Sequence, residues 1–573
     1  MILDARRLAP DMMLDVDICI VGGGPAGITL ASELDGTGVS VLLLEAGGRR
    51  FEPATQTALQ GAVAPDSPHA PPDMYRRRML GGASAIWGGR CFPLDPIDLE
   101  RRPHVPHSGW PIGWPELEAH YPRAMEYVEA GPYDFAAAGA LGTDAPPAIA
   151  GFAHPDVLDD RIERFSPPTR FGEAHAARLA RSASVRVLVH AQALRLVAPD
   201  REVEALEVGT APGRRFTVRA RRYVLAAGGL ETTRLLLASD ATRRGGLGNQ
   251  GGALGRYYMC HLENTLGWLR LRPADRPLAI EYEQAPDGSY VRRHLTLSPA
   301  AQRRERLLHT VFRLHHPLIA DPAHRNGVLS AMYLVKDAVL PEYRRKLAAM
   351  DIAARDRLRR DPQFWARHLA NVARDAPGVM RFGVDWTRRR VLARRKLPSV
   401  LLRSGEGAYP LEVSAEQVPN PDSRISLLPE TDAHGMPRLR IDWRATRLDY
   451  DSMAQSMRVL RAAFAASGTG DLQFEEERMV QETRAAMPVG GHHIGTARMA
   501  ASARDGVVDA DCRVHGLANL HVAGAAVFPT CGHASPTLTV VALAVRLADH
   551  LKRDLVQSHI AAAPRSVAEL VQP

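Results

Sequence analysis

The stretch from residue 16 to residue 47 constrains the fold of this chain more than any other. Residues 17–21 form an apolar run that is too short for a helix and suits a buried strand. Three glycines end this run, residues 26–34 have a helical pattern, and a second β-rich run at 39–44 stops at Glu45. The order strand, glycine turn, helix, strand predicts a βαβ unit with an acidic residue at its end.

The glycines of this unit have the G-x-G-x-x-G spacing. Gly22 allows a tight turn, Gly24 lets the backbone approach a pyrophosphate, and Gly27 lets the helix pack closely on the strand. The helix N-terminus favours phosphates, and Glu45 can accept a hydrogen bond from a ribose hydroxyl. We therefore predict dinucleotide binding; the alternative is an ordinary βαβ unit with a glycine-rich turn. The predicted contacts are Gly22, Gly24, Pro25, Ala26, Gly27, Glu45 and Ala46.

Length and composition limit the class of protein. A chain of 573 residues is too long for one ordinary core, so we expect two or more domains. The net charge is +8, but 64 acidic residues are interspersed with 72 basic ones, which favours a soluble enzyme with a basic patch over a nucleic-acid-binding protein. The five cysteines form no C-x-x-C pair, which argues against a disulfide scaffold and favours a reducing compartment. No signal sequence or uncharged membrane span is visible, so we predict a cytoplasmic location.

Two further glycine-rich turns are candidates for cofactor contact. The loop at 80–100 begins LGGASAIWGG, and its glycines allow close approach of a flat or charged group, although an unusual surface loop is an equal alternative. Residues 184–197 alternate like one strand, and residues 214–239 have the pattern strand, Ala-Ala-Gly-Gly turn, helix. Such a turn can bring a second part of the chain to the same cofactor. The predicted contacts are Gly81, Gly82, Ser84, Trp87, Gly88, Ala227 and Gly228.

The C-terminal region combines adjacent histidines with an apolar helix. His492 and His493 precede a Gly-Thr turn, and Pro536 opens a helix after a short strand at 520–523. That helix can direct its N–H groups at an electron-rich ring carbonyl, which is a reason to place a redox ring there. The Asp, His and Cys residues lack metal-ligand spacing, so we predict no metal site. The predicted cofactor contacts are Gly524, Ala525, Pro536 and Thr537.

Residues 264–480 differ from both ends, because they contain strand-like pieces and no cofactor-type glycine turn. The segment 341–396 is predicted to be helical and strongly basic, with aromatic residues interleaved. Such a run is usually a solvated face; the alternative is a weak contact with an anionic membrane or a partner. His261, a single histidine before this region, is predicted to be structural rather than catalytic.

Five motifs in this order resemble the glucose–methanol–choline (GMC) oxidoreductase family. They are GGGPAG with Glu45, LGGASAIWGG, EQVPNPDSRISL (416–427), HHIGTARM and GHASPTLTVVALAVRLADHL. The resemblance extends over nearly the whole chain and favours the branch of bacterial sugar and polyol dehydrogenases related to pyranose oxidase. It implies an α/β fold with a Rossmann-like FAD-binding domain assembled from residues 1–263 and 481–573, with excursions into the second domain near 100–180. An α+β substrate-binding domain with a large, mostly antiparallel sheet would occupy 264–480.

The resemblance also implies catalytic residues. His492 matches the histidine of the H-x-x-G-T pattern, which takes the alcohol proton, and His493 follows it. The partner position, commonly Asn, is Ser535 here, and Ser has one hydroxyl donor where Asn has two N–H donors. His533 is an alternative partner. The loop position that carries a covalently bound flavin in pyranose oxidase relatives is Ile86, so we expect a non-covalent flavin.

Alcohol oxidation requires a base beside the hydroxyl, because an alkoxide is a much better hydride donor than an alcohol. Neutral imidazole suits this role, since its unperturbed pKa of about 6.5 lies near working pH. The resemblance therefore implies oxidation of an alcohol, with a secondary hydroxyl of a sugar, glycoside or polyol as the favoured substrate and hydride transfer to flavin N5. The alternatives are the same chemistry on a natural-product or lipid-like alcohol, and a non-redox FAD-containing lyase. The sequence does not decide whether the electron acceptor is oxygen or a protein or quinone.

Overall fold

The structure is a computed structural model that describes residues 1–239, 245–317, 319–339, 361–404 and 406–559. Its strands are β1 (Ile2–Asp4), β2 (Met13–Val21), β3 (Val41–Leu44), β4 (Gly61–Val63), β5 (Arg90–Cys91), β6 (Val157–Phe165), β7 (Val185–Val189), β8 (Gln192–Val197), β9 (Ala205–Ala211), β10 (Arg214–Leu225), β11 (Leu262–Leu271), β12 (Glu283–Gln284), β13 (Tyr290–Leu297), β14 (Thr310–Leu314), β15 (Ala408–Ala415), β16 (Arg424–Thr431), β17 (Pro437–Asp442), β18 (Gly470–Gln473) and β19 (Leu520–Val522).

Its α-helices are α1 (Pro25–Leu34), α2 (Pro53–Gln56), α3 (Pro96–Leu99), α4 (Trp114–Glu118), α5 (Tyr121–Val128), α6 (Ala137–Leu141), α7 (Phe171–Ala174), α8 (Ala176–Arg181), α9 (Gly228–Ala238), α10 (Pro299–Glu305), α11 (Gly327–Val339), α12 (Pro362–Arg374), α13 (Ala376–Trp386), α14 (Arg447–Ser467), α15 (Glu476–Ala485) and α16 (Thr537–His559).

The first sheet contains the predicted βαβ unit. Its strand order is β1-β7-β3-β2-β10-β9-β8, with β19 beside the C-terminal end of β10. The strands β1, β7, β3, β2, β10 and β19 run parallel, whereas β8 and β9 are antiparallel additions. Residues 18–21 of β2 and all of β3 are buried, as expected for central parallel strands. The predicted α/β fold with a Rossmann-like domain is confirmed.

The segment 184–197 was predicted to be one strand but forms two, β7 and β8. His190 has a φ of 56° between them, in the left-handed region. This residue turns the chain out of the parallel sheet direction, so that β8 can pair antiparallel with β9. Apolar and other residues alternate on both sides of the break. The sequence pattern therefore does not reveal it.

The second sheet is large and antiparallel, as predicted. Its order is β18-β11-β15-β14-β13-β6-β5, with β12 paired to β13. One face packs its apolar side chains against α14, where Met457, Leu460 and Phe464 are fully buried. β5 and β6 join this sheet from the N-terminal half of the chain, and β6 lies within the excursion expected near 100–180.

A third, smaller sheet contains strands from both of the domains that the sequence predicted. Its order is β16-β17-β4, and β4 comes from the N-terminal part of the chain while β16 and β17 come from the middle region. Helix α9 of the nucleotide domain packs against both β16 and β17. Strand pairing therefore ties residues 424–442 to the nucleotide domain.

The basic segment is partly described. Residues 341–360 lie outside the described residues, while α12 and α13 are helical as predicted and are followed by a π-helical segment, Thr387–Leu392. Helix α12 buries Phe364, whereas α13 buries no residue fully. In the part of the chain that the structure describes, no helix is both long and apolar enough to cross a membrane.

Candidate active site

Three glycines shape the turn between β2 and α1, and each has a different environment. A Cβ on Gly22, whose φ is +110°, would lie 2.5 Å from the Ala226 carbonyl oxygen, so the two βα turns touch here. A Cβ on Gly27 would lie 1.9 Å from the Gly22 oxygen, because α1 packs directly on the turn. A Cβ on Gly24 would meet nothing within 4 Å. Gly22 and Gly27 therefore permit close packing, whereas Gly24 leaves space open beside the turn.

That space is an elongated cavity between β2, β10 and the C-terminal segment. The predicted cofactor contacts that line it are Gly22, Gly24, Pro25, Ala26, Glu45, Ala46, Gly82, Ala227, Gly228, Gly524, Ala525, Pro536 and Thr537, and of the predicted catalytic residues His493 lines it as well. Three glycine turns, at residues 22–24, 82 and 227–228, and the N-terminus of α16 at Thr537 thus meet at one cavity. This arrangement is what an extended dinucleotide requires.

Five residues predicted to contact the cofactor do not line this cavity: Gly27, Gly81, Ser84, Trp87 and Gly88. Two of these residues, Ser84 and Trp87, have side chains that form hydrogen bonds within the protein. The Ser84 hydroxyl donates to the Gly81 carbonyl and accepts from the Phe171 N–H. The Trp87 indole N–H donates to the Thr169 carbonyl at 2.9 Å. Both side chains hold the glycine loop against the neighbouring segment.

Glu45 lies at the end of β3, where the pattern placed it. Its two carboxylate oxygens accept from the backbone N–H groups of Gly23 at 3.0 Å and Gly47 at 2.7 Å. Burial raises the pKa of this carboxyl, and these backbone donors oppose the rise. A carboxylate has four lone-pair sites, so two bonds leave acceptor capacity for ribose hydroxyls.

Three consecutive arginines at the cavity, Arg76, Arg77 and Arg78, were missed by the sequence analysis. Arg76 pairs with Glu231 at 2.7 Å, and Arg78 donates to Gln192. The Nε of Arg78 is buried without a hydrogen-bond partner among the described residues. The Arg-Arg-Arg run just before the glycine loop was the available signal. Cations and a donor without an acceptor fit a diphosphate-containing cofactor such as FAD.

His492 is held by a second histidine, His261. The two Nδ1 atoms are 2.8 Å apart, and His261 Nε2 lies 3.0 Å from the Gly532 carbonyl oxygen. A carbonyl can only accept, so His261 carries its proton on Nε2. Burial lowers the pKa of His261 to about 4, so it is neutral and its Nδ1 is an acceptor. His492 therefore donates from Nδ1, and in the neutral form of this ring the lone pair is on Nε2.

His493 belongs to a separate chain of hydrogen bonds. Its Nδ1 lies 2.8 Å from the Tyr258 hydroxyl, which lies 2.8 Å from Nε2 of His69. His69 donates from Nδ1 to the Ala70 carbonyl, so its Nε2 accepts from Tyr258, and Tyr258 accepts from His493. Burial lowers the pKa of His493 well below its usual value, so this ring is neutral. The chain of bonds gives His493 a positioning task beside the cavity.

His533 contacts both members of a buried ion pair, Asp98 and His309. Asp98 contacts His309 Nδ1 at 2.8 Å and His533 Nδ1 at 3.3 Å, and the two rings stack with centroids 3.7 Å apart. Burial opposes ionisation of Asp98 and His309, but their mutual attraction wins: the pKa of Asp98 falls well below its usual value and that of His309 rises. Burial and the charge of His309 lower the pKa of His533, which is therefore neutral with its lone pair on Nε2.

The geometry around His533 affects two questions: whether a metal ion could bind there, and whether His533 or Ser535 is the donor that assists His492. Asp95, His309 and His533 bring three potential ligand atoms within 4.8 Å of one another. Both ring nitrogens of His309 already have partners, because Nδ1 contacts Asp98 at 2.8 Å and Nε2 contacts the Thr296 hydroxyl at 3.1 Å. A neutral His533 that donates to Asp98 accepts at Nε2 and cannot donate there to a substrate oxygen. Ser535 retains a hydroxyl donor.

Comparison with known proteins agrees with the geometry. A family model described as GMC oxidoreductase matches residues 419–544, and one described as FAD binding domain matches residues 15–55. The chain is 24% identical to paromamine 6'-oxidase from Streptomyces fradiae over 95% of this chain and 93% of that protein. It is 24% identical to 6'''-hydroxyparomomycin C oxidase from Streptomyces lividus over 94% and 92%.

Solved structures show the same fold at low identity. Pyridoxine 4-oxidase from Mesorbium loti superposes with a TM-score of 0.52 at 18% identity, covering 94% of this chain and 99% of that one. A formate oxidase superposes with a TM-score of 0.52 at 16% identity, covering 96% and 100%. With the cavity and the glycine turns, these findings show that the chain carries an FAD-binding domain and a GMC oxidoreductase domain, and that it is an FAD-dependent oxidoreductase similar to GMC enzymes over nearly its whole length.

Proposed function

We propose that this enzyme oxidises a secondary hydroxyl of a sugar, glycoside or polyol, with His492 as the base. The observation that carries the proposal is the His261–His492 contact, because it supports a neutral His492 whose Nε2 can accept a proton. The substrate class is supported by relatives named for sugar-containing compounds. A C-glycoside 3-oxidase from Arthrobacter globiformis, 35% identical over 22% of this chain and 23% of its own length, adds to that support.

The chain's own residues have distinct tasks in this reaction. Glu45, Arg77 and Arg78 would hold the nucleotide half of FAD, and FAD would supply the two-electron oxidant for the carbinol carbon. His492 accepts the hydroxyl proton at Nε2, and Ser535 donates to the oxygen that becomes negative. We expect no covalent link, because Ile86 has no group that could form one; acid precipitation should leave FAD in the supernatant.

Anaerobic bleaching of the flavin absorbance by a panel of sugars, glycosides and secondary alcohols tests this function. Bleaching by sugars supports the proposal, and bleaching only by lipid-like or natural-product alcohols supports the second candidate substrate class. A lyase would turn over its substrate without net bleaching. Oxygen uptake during turnover then separates an oxidase from a dehydrogenase that uses a protein or quinone acceptor.

Replacement of His261 tests the base directly. In His261→Leu, His492 Nδ1 loses its acceptor and the tautomer is no longer fixed, so we expect flavin reduction to slow on the order of 100-fold. His261→Asn keeps an oxygen near the position of Nδ1 and should recover most of that loss. Stopped-flow rates across pH are the measurement, and the apparent pKa of the base should shift in His261→Leu. Equal rates and pH profiles in both variants and the wild type would refute the assignment.

We also propose that α13 and the following segment contact an anionic membrane. Met380, Val384 and Val391 are exposed at helical spacing, with the exposed Arg381 and Arg388 beside them. Apolar side chains flanked by arginines suit an anionic lipid surface. Between contacts the protein would be cytoplasmic, which its five free, buried cysteines support.

Vesicle sedimentation checks this contact. We expect binding to vesicles rich in phosphatidylglycerol but not to pure phosphatidylcholine, and loss of binding in the double variant Val384→Ser, Val391→Ser. The matched control Leu3→Ser removes an exposed apolar residue elsewhere and should change nothing. Binding that ignores lipid charge, or that survives the double substitution, would contradict the proposal.

A further inference from the structure

The face of the second sheet opposite α14 carries charged side chains in place of apolar ones. Arg292 of β13 pairs in register with Glu163 of β6, and Arg313 of β14 pairs with Glu412 of β15. On β14 and β15 the alternating residues Phe312, Leu314, Leu411 and Val413 belong to the apolar cluster that packs on α14. Arg90 of β5 and one residue of β11 complete the group. We call Arg90, Glu163, Glu263, Arg292, Arg313 and Glu412 the ion cluster.

The ion cluster lies beside both histidine pairs. Glu263 follows His261 by two residues, and Arg90 approaches it to 3.8 Å. Phe92 follows Arg90 by two residues, and its ring centroid is 5.1 Å from that of His533. The cluster is thereby linked to His492 through His261 on one side and to His533 through Phe92 on the other.

The side chains of the ion cluster differ in their exposure to solvent. Arg292 and Arg313 keep 1% of their side-chain exposure and Glu163 keeps none, whereas Arg90 keeps 24%, Glu263 21% and Glu412 11%. Arg313 is held tightly by Glu163, with Nε donating at 2.6 Å. The accessible part of the cluster is therefore one guanidinium between two carboxylates.

Glutamates surround Arg90 and balance its charge, but its contacts with them are long. Its nitrogens lie 3.4 Å from Glu163, 3.5 Å from Glu412 and 3.8 Å from Glu263, which are long distances for a guanidinium with five N–H donors. Glu163 Oε2, Arg292 Nε and His294 Nδ1 are also buried without a hydrogen-bond partner among the described residues. Three arginines face three glutamates, so the cluster has no net charge to attract an ion.

We propose that Arg90 binds two neighbouring hydroxyl oxygens of an uncharged polyol and thereby makes the enzyme select hydroxyl groups over amino groups at this subsite. A hydroxyl accepts from the guanidinium fork and donates to Glu263 or Glu412. An ammonium group only donates, and it would meet a guanidinium while the carboxylates are already neutralised. This inference rests on the proposed function, and it differs from what the aminoglycoside-derived names of the relatives would imply for this chain.

The test uses holoenzyme of the wild type, Arg90→Gln and Arg90→Lys. The probes are glucose, galactose and mannose, their 2-amino-2-deoxy analogues, and cyclohexanol as an alcohol with one hydroxyl. Binding is read from perturbation of the flavin spectrum, and turnover from anaerobic bleaching. We expect the wild type to prefer neutral sugars at least tenfold over amino sugars. Arg90→Gln should raise KM for neutral sugars about 10- to 100-fold with a smaller change in kcat.

Two comparisons separate substrate contact from a structural role. Arg90→Gln gives the cluster a net negative charge, so kcat/KM for amino sugars relative to neutral sugars should rise, while cyclohexanol should be unaffected. Arg90→Lys keeps the charge and loses the fork, so discrimination should stay while KM rises; it also serves if Arg90→Gln fails to retain FAD. Equal losses for sugars and cyclohexanol, or no change in the amino-to-neutral ratio, would overturn the inference. If no alcohol bleaches the flavin, the proposed function fails, while the binding titration still reports on Arg90.

Discussion

His492→Ala should slow flavin reduction by about 10²- to 10⁴-fold, the usual contribution of a general base. The imidazole is fixed in one tautomer by His261, whose Nδ1 lies 2.8 Å from His492 Nδ1. An alanine leaves no acceptor for the hydroxyl proton. FAD should stay bound, because His492 is not among the residues that line the cavity.

Single-turnover reduction by the best substrate, followed by the loss of flavin absorbance, measures this effect. Added imidazole should restore part of the rate in His492→Ala, since it supplies the missing base. Ser535→Ala serves as the companion variant, with a smaller loss because one neutral donor is removed. An undiminished reduction rate in His492→Ala, with FAD fully bound, would show that another group, such as His533, takes the proton.

The second large effect is expected at the glycine turn, where two alanine substitutions should fail for different reasons. In Gly27→Ala the new Cβ would lie 1.9 Å from the Gly22 oxygen, which is backbone and cannot move aside cheaply. Overpacking of this kind costs about 3 kcal/mol of folding free energy, at the upper end of the usual range. We expect Gly27→Ala to unfold at lower temperature and to lose FAD.

In Gly24→Ala the Cβ meets no protein atom within 4 Å, and the residue has an ordinary φ of −84°. The fold should therefore be unchanged. The methyl group would point into the space that a pyrophosphate needs, so the affinity for FAD should fall at least tenfold. Thermal unfolding of both apoproteins and fluorescence titration with FAD distinguish the two effects. Equal behaviour of the two variants would contradict the separate roles of these glycines.

Sequence patterns predicted the elements whose signal is local. The βαβ unit from β2 to β3 and the strand-turn-helix of β10 and α9 follow from apolar runs interrupted by glycine, because backbone geometry at a tight turn depends on few neighbours. Strand-like pieces within residues 264–480 correspond to strands such as β11, β13, β16 and β17, and two-residue alternation predicted a strand at 184–197. The same alternation hid the break at His190, since the positive φ there has no signature in the side chains around it.

The amino-acid sequence by itself determined the family motifs, the nucleotide-binding turn and the identity of His492 as the candidate base. The tertiary structure alone decided which side chains hold that base and its neighbours. His261 and His492 are 231 residues apart, and Asp98 and His533 are 435 apart. The ion cluster joins side chains from six strands, β5, β6, β11, β13, β14 and β15. Tautomer, ionisation and donor direction depend on such partners, and packing rather than local spacing brings them together.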